Sequence, residues 1–339
     1  MAAPVRIIVT AYASEAFLPA CLEALAAQDY ADFEVVVVDN GGARNGAHAI
    51  DLPDARFRHV VSPLNDGFAG GFVRGAHGAQ GEWLMSINPD TVLDPDCLST
   101  LIAASRAHGD PAMLSPVLFA NNARTHLDGM GDSLSVWGIP WRNGYRHPID
   151  VIPERAVSEV FAPTGAAALY RRAAYERAGG FDTAFFCYLE DVDLGLRIRG
   201  HGGRCLLVHA ATGVHAGGHS TAAIEGFALR HTARNAALMI RGSAPSLLRR
   251  VMWPLYRLGQ AQLQRRGRRS ADPQAIAACD HRAAGFAEAR ALEDAARRKR
   301  RERASYPVGA SLRIASRLAW TLGGVRHHTP LLWEWEKSH

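Results

Sequence analysis

"FEVVVVDN", residues 33–40, decides the fold. A strand with one wet face alternates apolar and polar residues, whereas Val35 to Val38 leave no polar face at all. A strand of this kind is buried on both sides, as in a parallel sheet covered by helices. The flanking sequence repeats the pattern. "VRIIVTAY" (5–12) is another buried-strand run, and "EAFLPACLEALAAQ" (15–28) has helical apolar spacing at Leu18, Cys21, Leu22 and Leu25. "FRHVVSP" (57–63) is a third strand, "GFAGGFVRGAHGAQG" (67–81) a glycine-rich turn entering a helix, and "EWLMSINPD" (82–90) a fourth strand. The expected fold is α/β, a Rossmann-like, mostly parallel sheet flanked by helices. Ligands of such sheets sit at the carboxyl ends of the strands. Polar residues gather there: Thr10 and Tyr12, Asp39 and Asn40, Asn65 and Asp66, Asn88 and Asp90.

Beyond this half, residues 115–160 are rich in Gly, Asn, Trp and Pro and read as loops or a hairpin excursion. Order returns with a helix at 171–178, "GGFD", a helix starting in "FFCYLEDVDLGLRIRG" (185–200), a strand "CLLVHA" and a loop "TGVHAGGHS". From residue 221 the pattern is helical and arginine-rich, with the basic blocks "RRGRRS" and "RRKRRER". Residues 1–220 hold 16 basic and 24 acidic side chains, a balance of −8; residues 221–339 hold 22 and 9, a balance of +13. An acidic front and a basic tail predict two parts, 1–220 (a first half to about 115, a second from 116) and 221–339. The 339 residues include five scattered cysteines and no CxxC, which predicts reduced thiols in a cytoplasmic protein with no disulfide framework or zinc site. "MAAPVRIIVTAY" has no signal-peptide layout, and no run reaches the roughly 20 apolar residues of a spanning helix.

Four motifs carry candidate chemistry. Asp39 ends a valine strand, where a carboxylate can accept from a nucleobase or ribose; the plain reading is a turn, "DNGG". "LNDGFAGGFVRGAHG" lets backbone approach a phosphate, or packs a helix closely. It follows the third strand, and the turn after the first strand holds no glycine, which argues against NAD or FAD. "INPDT" (87–91) offers an acid to a divalent cation on a diphosphate, or is an Asn-Pro-Asp turn. In "GVHAGGHS", His215, and less so His219, can complete such a metal site. Glu190, Asp191 and Asp193 are either first-turn helix acids or include a catalytic carboxylate.

Taken together, "VRIIVTAYASEAFLPACLEAL", "VVVVDNGG", "NDGFAGGFVRG", "SINPDTVLDPDCL", "TGAAALYRRAAYERAGGFDTAFFCYLEDVDLGLRIRGHG" and "VHAGGHS" resemble the family 2 glycosyltransferases of the GT-A fold, over residues 4–220 and nearest their bacterial rhamnosyltransferase-like branch. The resemblance implies an inverting transferase. It would move a sugar from a dTDP- or UDP-linked donor to a hydroxyl of a glycan or lipid-linked acceptor in cell-surface polysaccharide synthesis. By position, Thr10, Tyr12, Glu15, Asp39 and Asn40 would line the nucleotide pocket, with Asn65 and Gly67 near the diphosphate. Asn88 and Asp90 stand where the family has DxD, and Asp90 with His215 would hold Mg²⁺ or Mn²⁺. Asp191 would be the general base, Glu190 its support, and Thr164 and Gly165 the acceptor side. Phe72 and Val73 replace asparagines common in the family, and Arg74 is the candidate to take over part of their contact with the donor.

The basic tail, an α-helical extension, carries arginines beside Leu, Trp and Tyr, a pattern suited to the anionic inner face of the plasma membrane. The competing expectation is helical packing on the core or a homodimer. The arginine blocks have few interleaved aromatics and no reader motif, so nucleic acid is not expected. A non-catalytic nucleotide-sugar-binding subunit is the alternative to an enzyme; the presence of both Asp90 and Asp191 favours the enzyme.

Overall fold

The valine run is a strand with both faces covered: Val35 to Val38 are fully buried. In this computed structural model the described residues are 4–41, 50–217, 224–302, 306, 307, 309, 310 and 314. His219 and most of residues 303–339, including all of "SLRIASRLAWTLGGV" but Ile314, lie outside them.

The first half runs β1 (Val5–Ala11), α1 (Leu18–Ala26), β2 (Phe33–Asp39), β3 (Phe57–Val61), α2 (Gly67–Ala76), β4 (Trp83–Ile87), β5 (Thr91–Leu93) and α3 (Cys97–Ala107). Next come β6 (Met113–Phe119), β7 (Leu127–Gly129), β8 (Asp132–Leu134), β9 (Pro140–Arg142), β10 (Val157–Val160), β11 (Ala167–Arg171) and α4 (Arg172–Arg177). The chain continues through α5 (Glu190–Gly200), β12 (Cys205–His215), α6 (Phe227–Gly242), α7 (Ser246–Arg268), α8 (Pro273–Ala291) and α9 (Glu293–Glu302).

The main sheet has the order β10-β12-β6-β11-β4-β1-β2-β3, with β5 added to β12 and β7 to β6. Strands β3, β2, β1 and β4 are parallel throughout. Chain order reverses beside β1, so the carboxyl ends of β1, β2 and β4 form the crevice expected of such a sheet. The sheet becomes mixed where β11 enters antiparallel to both β4 and β6, and β12 then runs parallel to β6.

The expectation of loops or a hairpin excursion over 115–160 is met by the β8–β9 hairpin and needs correction for the rest. Met113–Phe119 is an inner strand, and β7, the β8–β9 hairpin and β10 follow it. Ser115 and Pro116 hide β6 from a periodicity reading, because an interior proline argues against a central strand. The sheet accommodates Pro116 at an irregularity, where the register of β12 shifts between Val208 and Thr212. β12 also runs five residues further than "CLLVHA", so His215 ends a strand paired with β5 rather than standing in a loop.

One apolar cluster joins the tail to the preceding half. Met239, Ile240, Leu248, Met252 and Tyr256 pack with Leu134, Phe161, Phe185, Val192 and Leu196. The first tail helices therefore share a core with α5 and the β8–β9 hairpin.

Candidate active site

At the carboxyl ends of β1 and β2, Tyr12 is 44% exposed and its ring lies over the backbone of Gly41. Asp39 Oδ1 accepts from the Gly41 N–H at 3.0 Å, and its other oxygen lies 3.9 Å from His59 Nε2. Thr10 is buried under α2 with its methyl against Gly71, and its Oγ1 has no partner among the described residues. Glu15 is exposed in the turn after β1. Asn40 is fully buried as a clamp: its amide donates to Asn65 Oδ1 at 3.0 Å and to the Gly67 carbonyl at 2.8 Å, and its Oδ1 accepts from the Asp66 N–H at 3.2 Å. Asn65 Oδ1 also accepts from the Gly67 N–H at 3.0 Å. Gly67 takes φ +69°, and a Cβ there would stand 2.3 Å from the Phe186 carbonyl oxygen. Only glycine lets the start of α2 meet the segment that leads into α5. Arg74 points outward and pairs with Asp66 at 2.8 Å. Phe72 is core, packed edge-on against Phe181 and Tyr170.

At the end of β4 a second cluster forms. The Asn88 N–H donates to the Ala166 carbonyl at 3.0 Å, and the Thr91 N–H to the Asn88 carbonyl at 3.0 Å. His215 Nε2 lies 3.2 Å from Asp90 Oδ1 and 3.3 Å from Asn88 Nδ2, while Nδ1 is 2.7 Å from Asp128 Oδ2. Burial opposes a charge on His215, but its hydrogen bonds to Asp128 and Asp90 outweigh this and bring its pKa to about 9. Among the described residues there is no cluster of three His, Cys, Asp or Glu arranged to hold a metal. A cation bound by two protein ligands fits this donor set where it replaces the Nε2 proton of His215. One carboxylate and one imidazole nitrogen converge, and the far ring nitrogen is oriented by another carboxylate, the usual support of a ligating histidine.

The base end is built by α5. Glu190, Asp191 and Asp193 are all buried, with Asp191 9% exposed. Asp191 Oδ2 accepts from the Gly165 N–H at 2.7 Å and Oδ1 from the Val192 N–H at 2.7 Å. A Cβ on Gly165 would come within 3.1 Å of Asp191 Oδ2, so the 164–165 backbone is seated directly on the carboxylate. Thr164 is fully buried, and its Oγ1 has no partner among the described residues. Burial raises the Asp191 carboxyl above the ordinary range, against the two N–H groups and the charge of Arg142. Burial and the neighbouring Asp191 raise Glu190 far more. Asp193 turns away into an ion pair with Arg197 at 2.7 Å.

The approach to α5 is strained: Phe186, Tyr188 and Leu189 have φ of +64°, +68° and +66°. Fully buried Asn235 of α6 donates to the carbonyls of Phe185, Cys187 and Tyr188 at 3.0, 2.8 and 2.7 Å, and Arg234 adds one to Phe185 at 2.7 Å.

Reading the sequence missed the residues that link the two ends. Arg142 Nη1 donates to Asp128 Oδ2 at 2.9 Å, the same oxygen that His215 Nδ1 meets at 2.7 Å. Arg142 is the cross-strand partner of Asp132, and burial, then the charge of Asp191, raises the Asp132 carboxyl well above the ordinary range. Asp128, Asp132 and Arg142 come from the aperiodic stretch read as loops. The one available signal was "LDGMGD", two acids spaced by glycines.

Residues 6–179 match the sequence model "Glycosyl transferase family 2", and the chain belongs to that family. The N-acetylglucosaminyl-diphospho-decaprenol L-rhamnosyltransferase of Mycobacterium tuberculosis is 29% identical over 152 residues, 41% of this chain and 48% of that protein. An N-acetylglucosaminyltransferase of Bradyrhizobium diazoefficiens is 27% identical over 166 residues, 46% of this chain and 32% of that protein. The chain thus spans half or less of the length of these relatives. Among solved structures, S. aureus TarS 1–349 superposes with a TM-score of 0.52 at 15% identity, covering 94% of this chain and 91% of that one. The mannosyltransferase PcManGT of Pyrobaculum calidifontis, solved with GDP-Man and Mn²⁺, gives 0.51 at 17% identity, with 94% and 87% covered. These likenesses define the fold, GT-A.

Proposed function

We propose that the protein is an inverting glycosyltransferase of cell-surface polysaccharide synthesis. It takes a sugar from a dTDP- or UDP-linked donor, dTDP-rhamnose first, to a hydroxyl of a glycan or lipid-linked acceptor. The observation that carries the reading is Asp191: a buried carboxylate held by two backbone N–H groups at the head of α5.

An acceptor hydroxyl is a poor nucleophile at neutral pH. Asp191 takes its proton as the oxygen bonds to the anomeric carbon, and the bond from that carbon to the diphosphate oxygen breaks with its electron pair going to the diphosphate. Attack opposite the leaving group inverts the carbon. Glu190 supports the base from the same turn, and Thr164 and Gly165 border the acceptor. Tyr12, Asp39 and, at the rim, Glu15 face the nucleoside; Thr10, Asn40, Asn65 and Gly67 shape the wall behind it. Arg74, bound to Asp66 on the outer side of α2, is less well placed to reach the donor. Asp90 and His215, with Asn88 beside them, would hold Mg²⁺ or Mn²⁺, which when bound offsets negative charge on the diphosphate. Residues 1–220 form the transferase unit in this reading and 221–339 its basic extension.

The exposed side of α7 favours a place at the inner face of the membrane. Leu247, Val251 and Leu258 stand out in solvent, between exposed arginines 250, 257, 265, 266 and 268, and α7 contains no acid.

Calorimetric titration tests the substrate class. UDP or dTDP is expected to bind, more tightly with Mn²⁺ or Mg²⁺, with that gain lost in His215→Ala. Absence of binding by either nucleotide, with or without metal, contradicts the reading.

A further inference from the structure

His215 is held from both sides. Nε2 faces Asp90 and Asn88, which follow β4, and Nδ1 lies 2.7 Å from Asp128 Oδ2 on β7. The sheet brings this last pair together. β12 and β7 both pair with the end of β6: Phe119 is the partner of Val214 on one strand and of Leu127 on the other, and each strand carries its polar residue next in sequence. Beside His215, the Ala216 N–H donates to the Asp90 carbonyl at 3.1 Å. The backbone around Asp128 is fixed as well: the Leu127 N–H donates to the His147 carbonyl and the Met130 N–H to the Asn143 carbonyl, both at 2.9 Å. Asp128 is buried, and its Oδ2 also accepts from Arg142 Nη1 at 2.9 Å. Gly129 makes room for this. A Cβ there would stand 2.6 Å from Arg142 Cδ, so the arginine stem crosses β7 where a side chain would otherwise be. Asp128 Oδ1 faces Gly217, where a Cβ would lie 3.6 Å away.

We propose that Asp128 is a positioning residue for the cation used in sugar transfer: by accepting the Nδ1–H of His215 it fixes the ring with Nε2 toward Asp90, and Arg142, passing over Gly129, fixes Asp128. This rests on Asp90 and His215 being the cation's ligands. An ionised carboxylate only accepts, so the contact with Asp128 keeps a proton on Nδ1 and assigns Nε2 to the metal. Without Asp128 the ring is free to turn and present either nitrogen, and the imidazole and the Asp90 carboxylate then converge only part of the time. A site with two protein ligands depends on how firmly those two are held, because each ligand that must be ordered on binding subtracts from the affinity. Arg142 serves the site through Asp128 alone: its Nη1 and the imidazole share one carboxylate oxygen, which leaves that oxygen no second orientation.

The test measures Mn²⁺ affinity by calorimetry at saturating UDP or dTDP, in wild type, Asp128→Ala, Asp128→Asn, Arg142→Gln and His215→Ala. Asp128→Ala should weaken Mn²⁺ by about 10–100-fold, with nucleotide affinity in the absence of metal within about twofold of wild type. Asp128→Asn keeps an oxygen that can accept from Nδ1–H and should recover part of the loss, and Arg142→Gln should weaken Mn²⁺ by less than Asp128→Ala. Pulsed electron paramagnetic resonance of the Mn²⁺–nucleotide complex gives a second readout: nitrogen coupling from the imidazole, present in wild type, broadened in Asp128→Ala and absent in His215→Ala. Two results overturn the proposal: Mn²⁺ affinity of Asp128→Ala within about twofold of wild type, or a loss matched by an equal loss of metal-free nucleotide affinity, which marks a merely structural role. If Asp128→Ala does not fold, Asp128→Asn and Arg142→Gln decide by the same twofold limit. If His215→Ala loses Mn²⁺ affinity and the nitrogen coupling while the Asp128 variants keep both, the inference is rejected and His215 stands as a ligand. If His215→Ala keeps both, the reading of the cation site falls and the inference with it.

Discussion

Asp191 and Asp193 share the first turn of α5 but face different surroundings. Asp191 turns to the Gly165 backbone and the hairpin, while Asp193 meets Arg197 one turn on, with Arg197 also donating to the Gly180 carbonyl at 2.7 Å. A buried ion pair of this kind holds structure in place, because removing either partner strands a charge at a cost of about 3–5 kcal/mol. In the sequence Asp193 reads as a first-turn helix acid, and the structure adds the buried arginine. Asp39, Asp90 and Asp191 were legible because each closes or opens a strongly patterned element, where the chain must supply a polar residue at a predictable place. Asp128, Asp132 and Arg142 were not, since short hairpin strands carry too few residues to show a period. Their roles come from cross-strand pairing that no local pattern encodes.

At the scale of elements, α6 holds the strained segment 185–189 ahead of the base. Three residues in the left-handed region cost on the order of 1–3 kcal/mol each, and they persist only when the surroundings over-determine them. Asn235 does this by donating to three carbonyls, and Gly67 by letting the start of α2 close on Phe186. Asn235→Ala leaves buried carbonyls unpaired, so it should destabilise the fold by about 1–3 kcal/mol in denaturant titrations. It should also speed hydrogen exchange in residues 185–191 more than in β1 and β2. Uniform exchange in the two regions would mean that α6 does not order this segment. The helical period of α6 was visible in the sequence, but its inward polar stripe, Arg234 and Asn235, reads there as ordinary surface.

Across the whole molecule, the tail has two faces. Its inner side completes a core with the hairpin and α5, and α7 turns leucines, a valine and arginines outward. The charge asymmetry was plain in the sequence; the sharing of the core was not, because apolar spacing marks a buried face without naming its partner. No described helix is long and apolar enough to cross a membrane. The protein should sediment with phosphatidylglycerol vesicles and not with phosphatidylcholine. Leu247→Ser, Val251→Ser and Leu258→Ser combined should release it without loss of fold. Failure to sediment, with a dimer in light scattering that the same changes dissociate, would assign the face to a second copy instead.

The proposed role of Asp191 as base for transfer from a nucleoside-diphosphate sugar is tested by Asp191→Asn, assayed beside wild type for donor affinity and for transfer. Nucleotide affinity should stay within about twofold of wild type while the transfer rate falls by at least about a hundredfold. Transfer at a near wild-type rate in that variant would contradict that role.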